Sequence, residues 1–410
     1  MPFLQTDSIN EQRLPVGLKD LISQEVARLS REQYGQRLRA VVLTGSLARD
    51  EATFVQEGER WSALGDAELI PVLDPRVLLP AHDLELLRSK IEDCLLRQGV
   101  RIAIGLSPTG TAALRKMKPR IFTYELRACG QVIWGDQQIL SCIPAFRASD
   151  IPLEDAWRLL CNRIVEHLEV ADELADDSKP LSCAGHYRTV KLFLDMATSL
   201  LVFLGSYEPT YRQREQQLML LAERGSANDG GPFSLGAFAK LVTACTEWKL
   251  LAKTVDGVTG RELWKAAADY ARLLWRWELA KLTGAGVATS DCDLMRKCMQ
   301  LQPSRQRFQE WARVLRKCGW VRSWREWPRW VLRGWQVSPR QCVYAAACEL
   351  FFQLPSLSRL SGQDVEKGTD WEEMRRWLPL VRESQQGKSL PPWQRLAADV
   401  VWNYHEVLLG

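Results

Sequence analysis

Two acidic residues, Asp66 and Glu68, open an apolar run that ends at Leu73. In a β-strand, residues i and i+2 point to the same face, so these two carboxylates would project together while Ala67 points away. Adjacent carboxylates repel each other unless a cation lies between them, and carboxylate oxygens suit Mg²⁺ or Mn²⁺. The spacing therefore predicts a divalent-metal site. The simpler alternative is a strand that begins with two solvated acids.

A second pair, Gly45-Ser46, comes directly after the apolar run 38–43 and before residues 47–51, which can start a helix. A strand that turns through glycine into a helix leaves backbone N–H groups free to bind anionic oxygens. A phosphate-binding turn beside a metal-holding carboxylate pair is the arrangement of a phosphoryl- or nucleotidyl-transfer site.

Hydrophobic periodicity predicts the elements that must position these residues. Residues 52–65 are polar and are predicted to form a loop. The predicted helices of the first part are 15–33, 47–51 and 84–98, and the predicted strands are 38–43, 67–73, 100–106, 120–127 and 132–134. Everything after residue 152 is helical in pattern. The expected fold class is α+β, with a small mixed sheet in residues 1–150, a helical domain in 151–302 and a third helical region in 303–410.

The chain resembles the nucleotidyltransferases of the DNA polymerase β superfamily in two stretches, TGSLARDE and GDAELIPV. The motif of that superfamily is an apolar residue followed by Gly-Ser, then a gap, then Asp-x-Asp or Asp-x-Glu. A third stretch, KPRIFTYELRACGQVIWGD, is similar to the third strand region of bacterial members, where the strand contains an acidic residue. The matching acid here is Glu125. The resemblance covers roughly residues 36–215.

The resemblance implies a site with named roles. Asp66, Glu68 and Glu125 would form a metal-binding triad for Mg²⁺ or Mn²⁺. Glu125 would complete the coordination of the catalytic metal or act as base. The residues expected to bind the nucleoside triphosphate are Gly45, Ser46, Arg49, Arg188 and Lys191.

The implied reaction moves a nucleoside monophosphate from a nucleoside triphosphate, such as ATP, to an acceptor and releases pyrophosphate. The sequence leaves the acceptor open among an aminoglycoside-like small molecule, a protein hydroxyl, an RNA end and a second nucleotide. The gap between Ser46 and Asp66 is longer than in compact members of the superfamily, and it contains acids. An alternative function follows: a catalytically inactive member that binds a nucleotide or a partner as a regulatory subunit.

Residues 305–340 combine ten Lys and Arg with two acids and six tryptophans. Trp320, Trp324 and Trp327 recur at the spacing of one helical face. A basic surface with stacking aromatics would suit nucleic acid, whereas an interfacial helix would suit a membrane or a protein partner. The simplest interpretation is that the tryptophans are core and the arginines extend around them.

Composition limits the remaining classes of function. The 410 residues contain eleven cysteines without a CxxC pair and four histidines, which disfavours a disulfide framework and a structural zinc site. The net charge of +4 is too small to indicate a partner. The absence of a basic segment followed by an apolar one at the start predicts no signal peptide, and no apolar stretch is long enough to span a bilayer. We therefore expect a cytoplasmic protein.

Overall fold

The structure, a computed structural model, describes residues 17–74, 81–224, 231–251, 259–286, 288–318, 327–357, 371–380 and 390–409. These residues divide into two compact units. The first is drawn from Met1–Asp155, Leu204–Arg224 and Ala239–Asp256, and the second from Ala156–Phe203, Gly225–Phe238 and Gly257–Gly410. Each unit thus combines separated stretches of chain. The predicted division at 1–150, 151–302 and 303–410 follows chain order instead and stays a prediction.

The secondary structure changes character along the chain. The elements up to residue 135 are α1 (Leu18–Tyr34), β1 (Leu38–Thr44), α2 (Gly45–Ala48), β2 (Phe54–Glu57), β3 (Arg60–Leu73), α3 (Ala81–Arg97), β4 (Val100–Leu106), β5 (Thr109–Gly110), α4 (Thr111–Leu114), α5 (Ile121–Cys129) and β6 (Gln131–Gly135). The later helices are α6 (Leu153–His167), α7 (Ala171–Ala175), α8 (Cys183–Phe203), α9 (Tyr211–Glu223), α10 (Leu235–Leu251), α11 (Gly260–Thr283), α12 (Asp291–Leu301), α13 (Ser304–Cys318), α14 (Trp327–Gly334), α15 (Pro339–Leu357), α16 (Trp371–Trp377) and α17 (Pro392–Asn403). Strands followed by helices agree with the predicted α+β class.

The strands form one mixed sheet in the first unit. Its order is β2-β3-β1-β6, and β1 runs antiparallel to both of its neighbours. Strand β4 pairs with β3 in parallel, and helix α3 supplies the crossover connection that a parallel pair needs. The long strand β3 therefore lies between β4 on one side and β1 and β2 on the other, which gives it a central place in the sheet.

Alternation along the central strands fills two cores, one on each face of the sheet. Val41 and Leu43 point to the face covered by α1 and α3, whereas Ala40 and Val42 point to the opposite face. The opposite face also receives Leu126 of α5. Burying both faces explains why β1 reads as a continuous apolar run instead of an alternating one.

The loop predicted at 52–65 is wrong. The chain forms a hairpin there: β2 pairs with the first residues of β3, from Phe54 opposite Ala63 to Glu57 opposite Arg60. The two-residue connection begins with Gly58 at φ 65°, a conformation that glycine adopts without steric cost. The polar composition hid the hairpin, but Phe54 is buried and anchors it to the core.

The strand predicted at 120–127 is also wrong, because this segment is helix α5. Its Ile121 and Thr123 favour strands by local propensity. The structure overrides that preference: the Ile121 N–H donates to an oxygen of Asp155 at 2.9 Å, 34 residues along the chain, and so caps the helix. Glu125 therefore lies on a helix and not on a strand of the sheet.

The helical pattern predicted after residue 152 is confirmed in the described residues, for example in α8, α11 and α12. Among the described residues, no helix is both long and apolar enough to cross a membrane. Of the tryptophans in 305–340, Trp311 and Trp330 are buried and their rings stack with centroids 5.7 Å apart. The face predicted for Trp320, Trp324 and Trp327 lies outside the described side chains.

A carboxyl group, that of Glu278 on α11, is fully buried in the second unit. It accepts a hydrogen bond from the Ser199 hydroxyl at 2.5 Å, and its Oε2 has no hydrogen-bond partner among the described residues. Burial disfavours the charged form and raises the pKa of Glu278 to about 8, although the Ser199 hydrogen bond acts in the opposite direction. Glu278 is therefore protonated at neutral pH.

The pKa of Glu278 predicts how stability depends on pH. Between the ordinary glutamate value and about 8, the folded protein holds a proton that the unfolded chain has lost. The free energy of unfolding should therefore fall with rising pH over this window, by roughly 1.4 kcal/mol per pH unit from this group. Urea titrations at pH 5, 6, 7 and 8 should show that slope reduced in Glu278→Gln and kept in Asp269→Asn, an exposed acid on the same helix. Equal slopes in the two variants would contradict the assignment.

Candidate functional site

The predicted carboxylate pair is placed as the alternation required. Asp66 and Glu68 are both exposed at consecutive outward positions of β3, and Ala67 between them is buried. They continue the face of the sheet on which Ile70 lies, and about 6.6 Å of strand separates their Cα atoms. The side chain of Asp66 forms no hydrogen bond or ion pair with another described residue. An open carboxylate beside a second one is a place where a cation would relieve repulsion.

The Gly45-Ser46 turn meets this pair directly. Glu68 pairs with Thr44, the last residue of β1, so its side chain lies at the point where β1 turns into α2. Gly45 has φ 70°, and a Cβ atom there would lie only 2.7 Å from Oε2 of Glu68. The positive φ therefore favours glycine at this position, and any other residue would also have to displace the Glu68 carboxylate. The Gly45-Ser46 turn and the carboxylate pair, which were predicted to form one site, are therefore in contact through Gly45 and Glu68.

A second glycine borders Asp66 on the other side. Gly105 on β4 lies opposite Glu68 in the sheet, and a Cβ atom there would be 3.5 Å from Oδ2 of Asp66. The neighbouring strand therefore presents no side chain at this point, and the two carboxylates have glycines as close neighbours. This leaves room beside them for water, metal or phosphate oxygens.

The oxygen atoms of the pair fit a hard divalent cation. Mg²⁺ is usually bound through one or two carboxylates, with water and substrate phosphates completing its shell. Asp66 and Glu68 meet that requirement. Among the residues that the structure describes, no group of three or more His, Cys, Asp or Glu side chains could hold a metal ion. The structure therefore does not assemble Glu125 with the pair as a ready-made triad.

Glu125 has other partners instead. One of its oxygens accepts from Nη1 of Arg49 at 2.6 Å, and the other accepts from Nη2 of Arg214 and from the Tyr207 hydroxyl. The side chains of Arg49 and Arg214 are only 5% and 4% exposed. Two buried guanidinium groups thus share one carboxylate, which neutralises charges that would be costly to bury alone.

The same cluster extends to the loop after α2. Nε of Arg49 donates to Glu51 at 2.7 Å, and the other oxygen of Glu51 accepts from the backbone N–H of Tyr211 at 2.7 Å. Glu51 is buried, so one of the acids in the gap between Ser46 and Asp66 serves structure and does not lie in solvent. We call Arg49, Glu51, Glu125, Tyr207 and Arg214 the buried ionic cluster.

Electrostatics within the cluster favour full ionisation of its arginines. Burial alone would lower the pKa of Arg49, but Glu125, Tyr211 and Glu51 outweigh it and the pKa lies above its usual range. The pKa of Arg214 also lies above its usual range: burial would lower it, but Tyr207 and Glu125 outweigh that effect. Burial raises the pKa of the Tyr207 hydroxyl well above its ordinary value, so it stays a hydrogen-bond donor.

No sequence pattern indicates Tyr207, Arg214 or Glu51 as members of a site. Their partners lie far away in sequence: Arg214 is 89 residues from Glu125, and Tyr211 is 160 residues from Glu51. The sequence offers one signal, the stretch SYEPTYRQR at 206–214, which is rich in aromatic and basic residues. It lies at the end of the range 36–215 that the family resemblance covers. Periodicity alone does not indicate which acid such a stretch would meet.

The remaining residues expected to bind nucleotide lie in different settings. Ser46 is half-buried at the turn, and Arg49 is committed to the buried ionic cluster. Arg188 and Lys191 lie on α8 of the second unit, where Arg188 donates to the carbonyl of Glu166 at 2.8 Å. Nζ of Lys191 lies 5.7 Å from the ring centroid of a neighbouring tyrosine on its own helix. The nucleotide-binding role of all four stays a prediction.

Comparison with known proteins gives little likeness. The sequence matches no protein family and no curated protein. Among solved structures, a spectinomycin adenyltransferase from Enterococcus faecialis, determined with ATP and spectinomycin, is similar with a TM-score of 0.34 and 13% identity. The similarity covers 62% of this chain and 98% of that one. These values are too low to assign a family.

Proposed function

We propose that this protein is a nucleotidyltransferase that uses Mg²⁺ or Mn²⁺ held by Asp66 and Glu68. The observation that supports the proposal is the contact between Glu68 and Gly45: an outward carboxylate pair adjoins a glycine turn at the end of a buried strand. Metal-holding oxygens and a phosphate-binding turn are the two parts that transfer of a nucleoside monophosphate needs.

In the proposed reaction, an acceptor nucleophile attacks the α-phosphorus of a nucleoside triphosphate, and pyrophosphate leaves. Asp66 and Glu68 would hold the cation through their carboxylate oxygens. The Gly45-Ser46 turn would let the triphosphate approach the backbone, because glycine carries no side chain to block it. When bound, the cation supplies charge neutralisation to the phosphates. The buried ionic cluster holds Arg49 and Glu51 directly after α2, and this would help to fix the position of the Gly45-Ser46 turn.

A second function has its own observation in favour. Glu125 is engaged by Arg49, Arg214 and Tyr207, and strand β4 has no acid beside the pair, so the site offers two carboxylates and not three. A site of this kind could bind a nucleotide with its metal without completing transfer. The protein would then act as a nucleotide-binding regulatory subunit.

Two measurements on the full chain separate these functions. Thermal shift with each nucleoside triphosphate, with and without Mg²⁺, should show stabilisation only when both are present. Pyrophosphate release should then be followed with a panel of hydroxyl-bearing acceptors: small aminocyclitols and aminoglycosides, RNA ends, proteins and second nucleotides. Release that requires one acceptor class supports the transferase, whereas metal-dependent stabilisation without release with any class supports the regulatory function. Absence of any nucleotide effect would contradict both.

A further inference from the structure

Helix α13 of the second unit presents a face of three cations: Arg305, Arg313 and Arg316. All three are exposed, and none forms an ion pair with a described residue. The helix contains a single acid, Glu310, which accepts a hydrogen bond from Gln302 at 2.9 Å. Arg305 and Arg316 lie three turns apart on nearly the same line, so the face is about 16 Å long. We call these three arginines the cationic face.

Packing of α13 uses the opposite side of the helix. Trp311 and Val314 are buried against Trp330 of α14. The Trp311 indole N–H donates to the carbonyl of Val337 at 2.9 Å. The one buried arginine of the helix, Arg307, donates to the carbonyl of Trp335 at 2.7 Å. The cationic face therefore takes no part in packing the helix against the described residues around it, and Arg316 donates only to the Ala312 carbonyl of its own helix.

An exposed aromatic ring borders the cationic face. Trp335 is 65% exposed, although tryptophan is a residue that folding normally buries. Its ring and that of Phe308 are nearly perpendicular, with centroids 5.3 Å apart, and most of the Trp335 surface stays exposed beside this contact. Phe308 lies on α13 one turn from Arg305, which places the indole at the edge of the cationic face. Leu332, 71% exposed, adds apolar surface on α14 near the indole.

We propose that the cationic face and Trp335 bind single-stranded nucleic acid. Guanidinium groups spaced along a helix match successive phosphates, and an open indole face matches an unstacked base. A membrane-surface helix would turn its apolar side to lipid, but the apolar side of α13 is buried in the protein. An acidic protein partner would satisfy the charges and leave the exposed indole face unused. This inference does not rest on the proposed transferase function.

The test is fluorescence anisotropy of the full chain with a labelled 20-nucleotide oligouridylate at 50–200 mM KCl. The wild type should bind. In the triple variant Arg305→Gln, Arg313→Gln, Arg316→Gln, the slope of the logarithm of the binding constant against the logarithm of the salt concentration should be shallower by about 2. Each phosphate contact contributes about 0.7 to this slope for single strands. Trp335→Ala should weaken binding about tenfold, as expected when base stacking is lost, without changing the slope. Thermal melting confirms that each variant is folded.

A matched control removes the same charge elsewhere. Arg147→Gln, Lys179→Gln, Arg296→Gln changes three exposed cations that are paired with acids, and it should leave both affinity and slope unchanged. Equal effects of the two triple variants would overturn the proposal, as would absence of binding at 50 mM salt. Vesicles of equal phosphatidylserine and phosphatidylcholine test the alternative. If the wild type binds the vesicles and not the oligonucleotide, and the cationic-face variant loses the vesicle binding, the proposal is overturned and the surface is assigned to a membrane.

Discussion

Replacing Glu125 with glutamine is expected to lower the free energy of unfolding by about 3–5 kcal/mol, the usual effect of removing one partner of a buried ion pair. The reason is that Arg49 and Arg214 would remain buried while losing the carboxylate that they share. Arg49 keeps Glu51, so the larger penalty falls on Arg214. Equilibrium unfolding in urea, followed by circular dichroism, gives the free energy directly.

An exposed ion pair serves as the control for this prediction. Glu85 pairs with Arg88 on α3, and the two side chains are 62% and 45% exposed. Glu85→Gln should change the free energy of unfolding by less than about 0.5 kcal/mol, because exposed pairs contribute little. If Glu125→Gln were no more destabilising than Glu85→Gln, the account of the buried ionic cluster would fail.

Glu125→Gln also tests the third position of the metal triad that the resemblance implied. A carboxylate committed to Arg49 and Arg214 should not contribute to metal affinity. Titration of Mn²⁺ at a temperature where the variant is folded should therefore give an affinity within about twofold of wild type. A loss of tenfold or more would mean that Glu125 leaves its arginine partners to join the metal, because the loss of a metal-bound carboxylate is expected to reduce affinity strongly.

The second large effect is expected at the carboxylate pair. Asp66→Asn and Glu68→Gln should each abolish metal-dependent stabilisation by nucleoside triphosphate, together with any pyrophosphate release. Each substitution removes a negatively charged oxygen ligand of the cation. The neutral amide that replaces the carboxylate is a poorer ligand for Mg²⁺. Both variants should stay as stable as the wild type within about 0.5 kcal/mol, because the two side chains are exposed and substitutions of exposed residues seldom change stability much.

Glu59→Gln provides the matched control for the pair. Glu59 is an exposed acid in the turn between β2 and β3, on the same sheet, and its replacement removes the same charge. It should leave the nucleotide effect unchanged. Full metal-dependent stabilisation in Asp66→Asn, or its loss in Glu59→Gln, would remove the carboxylate pair from the site.

Local pattern was enough to place the pair and its turn. Alternation with period two put Asp66 and Glu68 outward and Ala67 inward, and the structure has them so. Strand β4 was predicted with its observed bounds, 100–106, because its own side chains alternate and Gly99 ends the preceding helix at φ 80°. Signals contained within ten residues were therefore sufficient here.

Long-range contacts decided what the sequence did not show. Helix α5 depends on a cap from Asp155, and the role of Glu125 depends on Arg49 and Arg214, which are 76 and 89 residues away. A strand-like composition and a lone acid give no information about such partners. The hairpin of β2 is a different case, since its glycine turn was visible but the polar residues around it favoured a loop.

The position of a bound metal ion tests the proposed site at Asp66 and Glu68. Crystals of the full chain grown with Mn²⁺ and a non-hydrolysable nucleoside triphosphate should show an anomalous peak in contact with oxygens of both Asp66 and Glu68, at about 2 Å. The triphosphate should lie against the Gly45-Ser46 turn. A manganese ion bound by neither carboxylate, or a triphosphate bound away from that turn, would contradict the account.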